Sequence, residues 1–193
     1  MKHLLGILVI SFLLLTNSCK RIGGYKYTDG FLPETPVNLS DFNTEYDDYN
    51  STAPSLGRLI PFCFSSNRNT YANNFDVIYK PMEVRFDKDT GVLTVLNQYG
   101  AWGEFAGNLD IINQAIARMK TDANEFGPNL IVDNDVERMK FTFLYSTDIT
   151  GNAQIHFVSN RSDINFSQPQ EVSFLNSVYD DIFVKQTGGK RRF

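Results

Sequence analysis

The amino-acid sequence predicts an all-β domain of about two antiparallel repeat units with one α-helix inserted between them. Three observations carry this. Short apolar–polar alternations bounded by Asn, Asp, Ser and Gly recur along the chain, the mark of half-buried strands between turns. One of them, "FCFSSN" (62–67), returns as "FLYSTD" (143–148), 81 residues later. Each copy is followed by a second apolar strand, "FDVIYK" (75–80) and "AQIHFV" (153–158). A repeat on this scale points to a solenoid or propeller architecture. Only one stretch, 107–127, carries a helical period.

The elements follow in chain order. Residues 1–18 read as a signal peptide: Lys2 and His3 give a basic end, and Leu4–Leu15 is an apolar run too short to span a bilayer. The run closes in "LTNSC", with the small Ser18 directly before Cys19. This resembles the lipobox of bacterial lipoproteins, in which the cysteine becomes the acylated first residue. The resemblance implies a membrane partner reached through a lipid anchor on Cys19, since several acyl chains hold a domain on a bilayer almost permanently. Lys20, where Asp would favour inner-membrane retention in Gram-negative lipoproteins, implies the outer membrane, on its periplasmic or its surface face.

Residues 19–40 are expected to be a tether, rich in Gly and Pro and without periodicity, and residues 41–193 the domain. From Cys19 onward there are 17 Lys and Arg against 22 Asp and Glu, a formal charge of −5, with no basic run except "KRRF" at 190–193. Nucleic acid is therefore not expected as a partner, because neutralising phosphates requires a basic patch. With Cys19 acylated, Cys63 has no disulfide partner and is expected to be a buried small hydrophobe.

Within the domain a second echo overlies the first: "FNTEYDDYN" (42–50) and "LNSVYDDIF" (175–183) share Asn43/Asn176, Tyr46/Tyr179, Asp47/Asp180 and Asp48/Asp181. The order is Tyr-Asp-Asp, unit, insert, unit, then the opening of a third unit. A Pro-x-Leu (Pro54, Pro128) accompanies each "FxFSS"-type strand. Tyr46, Asp47, Asp48, the strand end Ser66-Asn67-Arg68, and Tyr179, Asp180 and Asp181 form the repeat signature. "N-x-x-Y-D-D … P … F-x-F-S-S-N-R … F-D-V-I-Y" resembles the Asp-rich, WD-repeat-like blades of TolB-type β-propellers across residues 36–183. The resemblance implies four-stranded antiparallel blades, with these residues in the connecting loops. Two blades and a fragment cannot close a ring of 4–8. The expectation is a partial propeller, a sandwich-like pair of sheets, or an assembly in which a partner covers the open edges.

The insert "GNLDIINQAIARMKTDANEFG" (107–127) is the predicted helix: Leu109, Ile112, Ile116 and Met119 are spaced 3, 4 and 3, Asn108 is placed to cap it, and Gly127-Pro128 to stop it. Before it, Tyr99, Trp102 and Phe105 stand among glycines and form the candidate ligand-binding aromatics, suited to a sugar face or a protein surface.

No chemistry-bearing motif is present, whether Gly-x-Ser-x-Gly, His-Glu-x-x-His or a phosphate-binding loop, and His156 is the only His after the signal. "DKDTG" (87–91) reads as a hairpin turn, not as a Ca²⁺ loop with its 12-residue ligand spacing. The chain is therefore expected to be a non-catalytic lipoprotein without cofactor or metal, binding a protein or glycan. The alternatives are a structural or assembly subunit or a truncated propeller, whose open edges need a partner, and, behind these, a glycan-active hydrolase.

Overall fold

The computed structural model describes residues 29–54, 59–96, 103–134 and 139–182. Its strands are β1 (Asp48–Thr52), β2 (Leu59–Ser66), β3 (Asp76–Phe86), β4 (Leu93–Leu96), β5 (Glu125–Asn134), β6 (Met139–Thr147), β7 (Gln154–Ser159) and β8 (Gln170–Glu171). One helix, α1 (Gly103–Met119), stands between β4 and β5. The strands form two four-stranded antiparallel sheets in sequential order, β1-β2-β3-β4 and β5-β6-β7-β8. The expected all-β fold with one inserted helix is what the chain adopts.

The two sheets repeat each other down to their irregularities. "FCFSS" lies in β2 and "FLYST" in β6, each the second strand of its sheet. Phe62 faces Lys80 and Phe64 faces Ile78 across β2–β3, and Phe143 faces Val158 and Tyr145 faces His156 across β6–β7, the same register in repeat terms. The first strands break register at matching places, between Tyr49 and Thr52 and between Phe126 and Asn129. Inside each break one residue takes a left-handed backbone, Asn50 at φ +53° and Gly127 at φ +56°. Asn and Gly tolerate that region best, and a bulge needs it.

This relocates Gly127-Pro128. The pair does not stop the helix; it forms the bulge of β5, where proline's missing N–H is tolerated. The helix begins four residues earlier than 107 and ends eight residues before 127, so Asn108 lies inside it. Its last backbone bond runs from Lys120 N to Ile116 O (3.0 Å), after which the Thr121 side chain turns to Glu125.

Residues 35–85 and 94–182 share one core. Ile112, Ala115 and Met119 of α1 are fully buried and pack with Cys63 and Val77 of the first sheet and Phe141, Phe143 and Tyr145 of the second. Cys63 is a buried free thiol, pushed strongly upward in pKa by burial. Residues 29–34 with 86–93 form a separate small unit. There Asp87 Oδ1 accepts from the N–H groups of Asp89 (2.8 Å) and Thr90 (3.1 Å), and Gly91 at φ +77° donates to Asp87 O (2.7 Å). "DKDTG" is the hairpin turn its sequence predicts.

Candidate functional site

The residues that repeat most closely are Thr44–Asp48, which lead into β1, and Ser177–Asp181. In Thr44–Asp48, Thr44 N (2.8 Å) and Oγ1 (3.0 Å) donate to Asp48 Oδ2, and Tyr46 N donates to Thr44 Oγ1 (3.3 Å). In Ser177–Asp181, Ser177 N donates to Asp181 Oδ2 (2.6 Å) and Tyr179 N to Ser177 Oγ (3.1 Å). The shared turn extends upstream. Asn43 Nδ2 reaches Asn38 Oδ1 (2.8 Å) as Asn176 Nδ2 reaches Glu171 Oε1 (3.1 Å), and Phe42 N bonds Leu39 O as Leu175 N bonds Val172 O.

A third copy, which the sequence reading assigned to the helix, lies between them at Thr121–Glu125. Thr121 N (3.0 Å) and Oγ1 (2.6 Å) donate to Glu125 Oε1, and Ala123 N donates to Thr121 Oγ1 (3.0 Å). Its signal was present as Thr or Ser, two residues, Asp or Asn, then Asp or Glu. Demanding Tyr-Asp-Asp concealed it.

The middle loop stands between the two sheets and grips both, the first loop bonds forward, and the last bonds backward. Forward, to the sheet it opens, Asp47 N donates to Asn67 Oδ1 (3.0 Å) and Asn124 N to Asp148 Oδ1 (2.8 Å), an Asn or Asp at the end of the second strand. Backward, the middle loop holds the start of β3. Asn74 Nδ2 donates to Asp122 O (2.5 Å), Phe75 N to Asn124 Oδ1 (2.9 Å), and Glu125 N to Phe75 O (2.7 Å). The last loop holds the start of β7 with the same three bonds. Asn152 Nδ2 donates to Val178 O (2.8 Å), Ala153 N to Asp180 Oδ1 (2.8 Å), and Asp181 N to Ala153 O (2.8 Å).

The strand-opening carboxylates have opposite electrostatics. Asp48 is half-buried, which alone would raise its pKa, but bonds from Ser66, Arg68 and Thr44 outweigh burial and hold it below the usual carboxylate range. Arg68 is the centre of this cluster. Its guanidinium donates to Asp48 Oδ1 (2.7 Å), Phe42 O (2.6 Å) and Ser66 Oγ (3.0 Å) and lies 4.9 Å from the centre of the Phe64 ring. At the position matching Arg68 the second sheet has Ile149. Glu125 therefore lacks a comparable cation. Burial raises its pKa to about 7, against the bonds from Thr121, and its Oε2 has no partner. It lines a cavity of about 80 Å³ with Asp76, whose carboxylate is paired to Lys120 (2.9 Å).

A larger cleft, about 190 Å³, opens beside the first loop, walled by Phe42, Phe62, Phe64 and Tyr49 with Asn43 and Asn50 at its polar side. Phe42 meets Phe62 edge-on at 5.6 Å, and Phe62 lies 5.2 Å from Phe64. Asn50 Nδ2 is buried there without a partner.

Of the remaining candidates, Ser66, Asn67 and Arg68 close β2, and the look-alike Ser159-Asn160-Arg161 closes β7. In each, the Arg N–H donates to the Ser Oγ (3.2 Å), and the Asn Oδ1 accepts a backbone N–H from a neighbouring segment, that of Asp47 or Phe141. Cys19, Tyr99 and Trp102 lie outside the described residues, as does the side chain of Phe105, whose backbone is in α1. Among the described residues no three His, Cys, Asp or Glu side chains gather as metal ligands. No family model, curated protein or solved structure matches the chain.

Proposed function

We propose that this chain is a lipid-anchored protein of the bacterial outer membrane, carried on Cys19, whose TolB-like, propeller-type sheets act as a non-catalytic module for binding another protein. One observation favours this reading above the others. Phe62 and Phe64 match Phe143 and Tyr145 by repeat position. The second pair is buried in the core shared with the first sheet, at 0% and 2% exposure. In the first pair Phe64 is buried as well, at 3%, but Phe62 is half-buried and lines the cleft, with Phe42 laid edge-on against it. An aromatic sheet face that is sealed in one unit but leaves Phe62 half-exposed beside a cleft in the other suits a protein surface.

Two measurements test this together. Replacing Cys19 with Ser should abolish acyl labelling and release the chain from the outer-membrane fraction. A photo-cross-linking phenylalanine at position 62, in cells, should give one discrete protein adduct, and the same probe at Phe143 should give none. A Cys19→Ser chain that still fractionates with the outer membrane would count against the anchor. No adduct at position 62 would count against the binding reading.

A further inference from the structure

The three loops are alike in their internal bonds but not in what they hold. The middle loop grips Asn74-Phe75 and the last grips Asn152-Ala153, each by a backbone carbonyl, an Asn or Asp side-chain oxygen and a backbone N–H. In the first loop the matching groups are Glu45 O, the Asp47 carboxylate and Asp48 N. Among the described residues neither Glu45 O nor the Asp47 carboxylate accepts a hydrogen bond. Yet the loop is already set: its forward bond to Asn67 and its turn bonds to Asp48 are made. A preformed grip costs little further ordering when it closes on a ligand.

We infer that the loop Thr44–Asp48 docks the start of a β-strand from another polypeptide chain, holding an Asn-x step through Glu45 O, the Asp47 carboxylate and Asp48 N–H. The inference rests on the protein-binding reading and narrows it to one partner chemistry. Donors and acceptors agree with it. The strand starts held by the other two loops offer an amide NH₂ and a backbone N–H, and the first loop offers a carbonyl and a carboxylate, the stronger acceptor. The occupant would continue over the Phe62–Phe64 face, as sheet one continues over Phe143 and Tyr145. A second copy of this chain is a poor occupant, because both of its own Asn-x steps are already held by its own loops.

The probe is a fluorescent peptide of residues 148–159, "DITGNAQIHFVS", titrated into the full-length chain and followed by anisotropy. Amide shifts in the ¹⁵N-labelled chain locate the site. Saturable binding is expected, with shifts centred on residues 44–50. Asp47→Ala in the chain should weaken binding by about tenfold, the equivalent of ~1.4 kcal/mol, as expected for a lost bond to a charged acceptor, and Asn152→Ala in the peptide, which loses a bond to a neutral carbonyl, by about fivefold. Asp180→Ala should leave binding unchanged. No saturation, or equal binding to the Asp47→Ala chain, overturns the inference. A dimer in sedimentation that Asp47→Ala dissociates overturns the choice of a different chain. If the peptide fails while position 62 still cross-links a protein, the docking inference falls and the binding reading stands. If both fail, the reading itself falls.

Discussion

Glu125 should make the fold less stable as pH rises from about 4.5 to about 7. Its carboxyl is the strand-opening acid of the second sheet, 1% exposed, with one oxygen bonded to Thr121 and the other unpartnered. Burial raises its pKa from 4.5 to about 7. The folded state therefore holds a proton that the unfolded chain gives up near 4.5. The stabilisation is complete below pH 4.5, declines as pH rises, and is gone above about 7. A gap of roughly two and a half units corresponds to about 3 kcal/mol over that window. Asp48 acts in the opposite sense: its lowered pKa adds stability above its ordinary value of 3.8 that is lost as pH falls. The measurement is therefore a difference. Urea unfolding of wild type and Glu125→Gln, from pH 4.5 to 8, cancels every group the two chains share, and any constant cost of the amide drops out of the slope. The stability of Glu125→Gln relative to wild type should rise by about 3 kcal/mol across the range. Parallel profiles, within ~0.5 kcal/mol, would show that Glu125 is ionised in the fold and refute the reasoning.

Two further substitutions test the repeat. Arg68→Gln leaves the partly buried Asp48 carboxylate without its cation and Phe42 O without its donor, and should cost about 2–3 kcal/mol in urea unfolding near pH 7, with the loss shrinking as Asp48 is protonated. Asp180→Ala leaves Ala153 N without its acceptor and should cost ~1–2 kcal/mol, while Asp47→Ala, at the matching position of the unloaded loop, should stay within ~0.5 kcal/mol in the isolated chain. Equal losses at 47 and 180 would mean that the first loop is also loaded.

Much of the architecture was legible in the sequence, and the exceptions share a cause. The pairing of "FCFSS" with "FLYST", and of the strands after them, could be read because aromatic alternation is imposed by the core and survives repetition. The Tyr-Asp-Asp echo could be read because its Asp side chains bond the turn itself. The middle copy was missed because the turn requires only an oxygen at each position. Asn124 and Glu125 supply those oxygens, while the apolar period of Ile112, Ile116 and Met119 drew the helix across them. Gly127-Pro128 reads as a helix stop in the sequence because Gly followed by Pro is a common stop signal. Its role in β5 is visible only beside Asn50, the residue with the same left-handed backbone in β1.

The same comparison explains why one turn gives two carboxylates of opposite electrostatics. In two of its three copies the turn binds its carboxylate through Thr N–H and Oγ at the start of a strand, so burial is common to Asp48 and Glu125. What differs is the residue that closes the second strand. Arg68 brings a guanidinium into the first sheet, where it bonds Asp48 and Phe42 O and lies against Phe64. Ile149, exposed on its turn, brings nothing to Glu125. The first loop is thereby fixed to its own sheet by charge and keeps its outward acceptors in place without a strand to hold. The middle loop is fixed by the strand it already holds, and its acid can remain protonated. The first loop is fixed to its own sheet and, among the described residues, holds no strand on its other side, which is the arrangement a docking site requires.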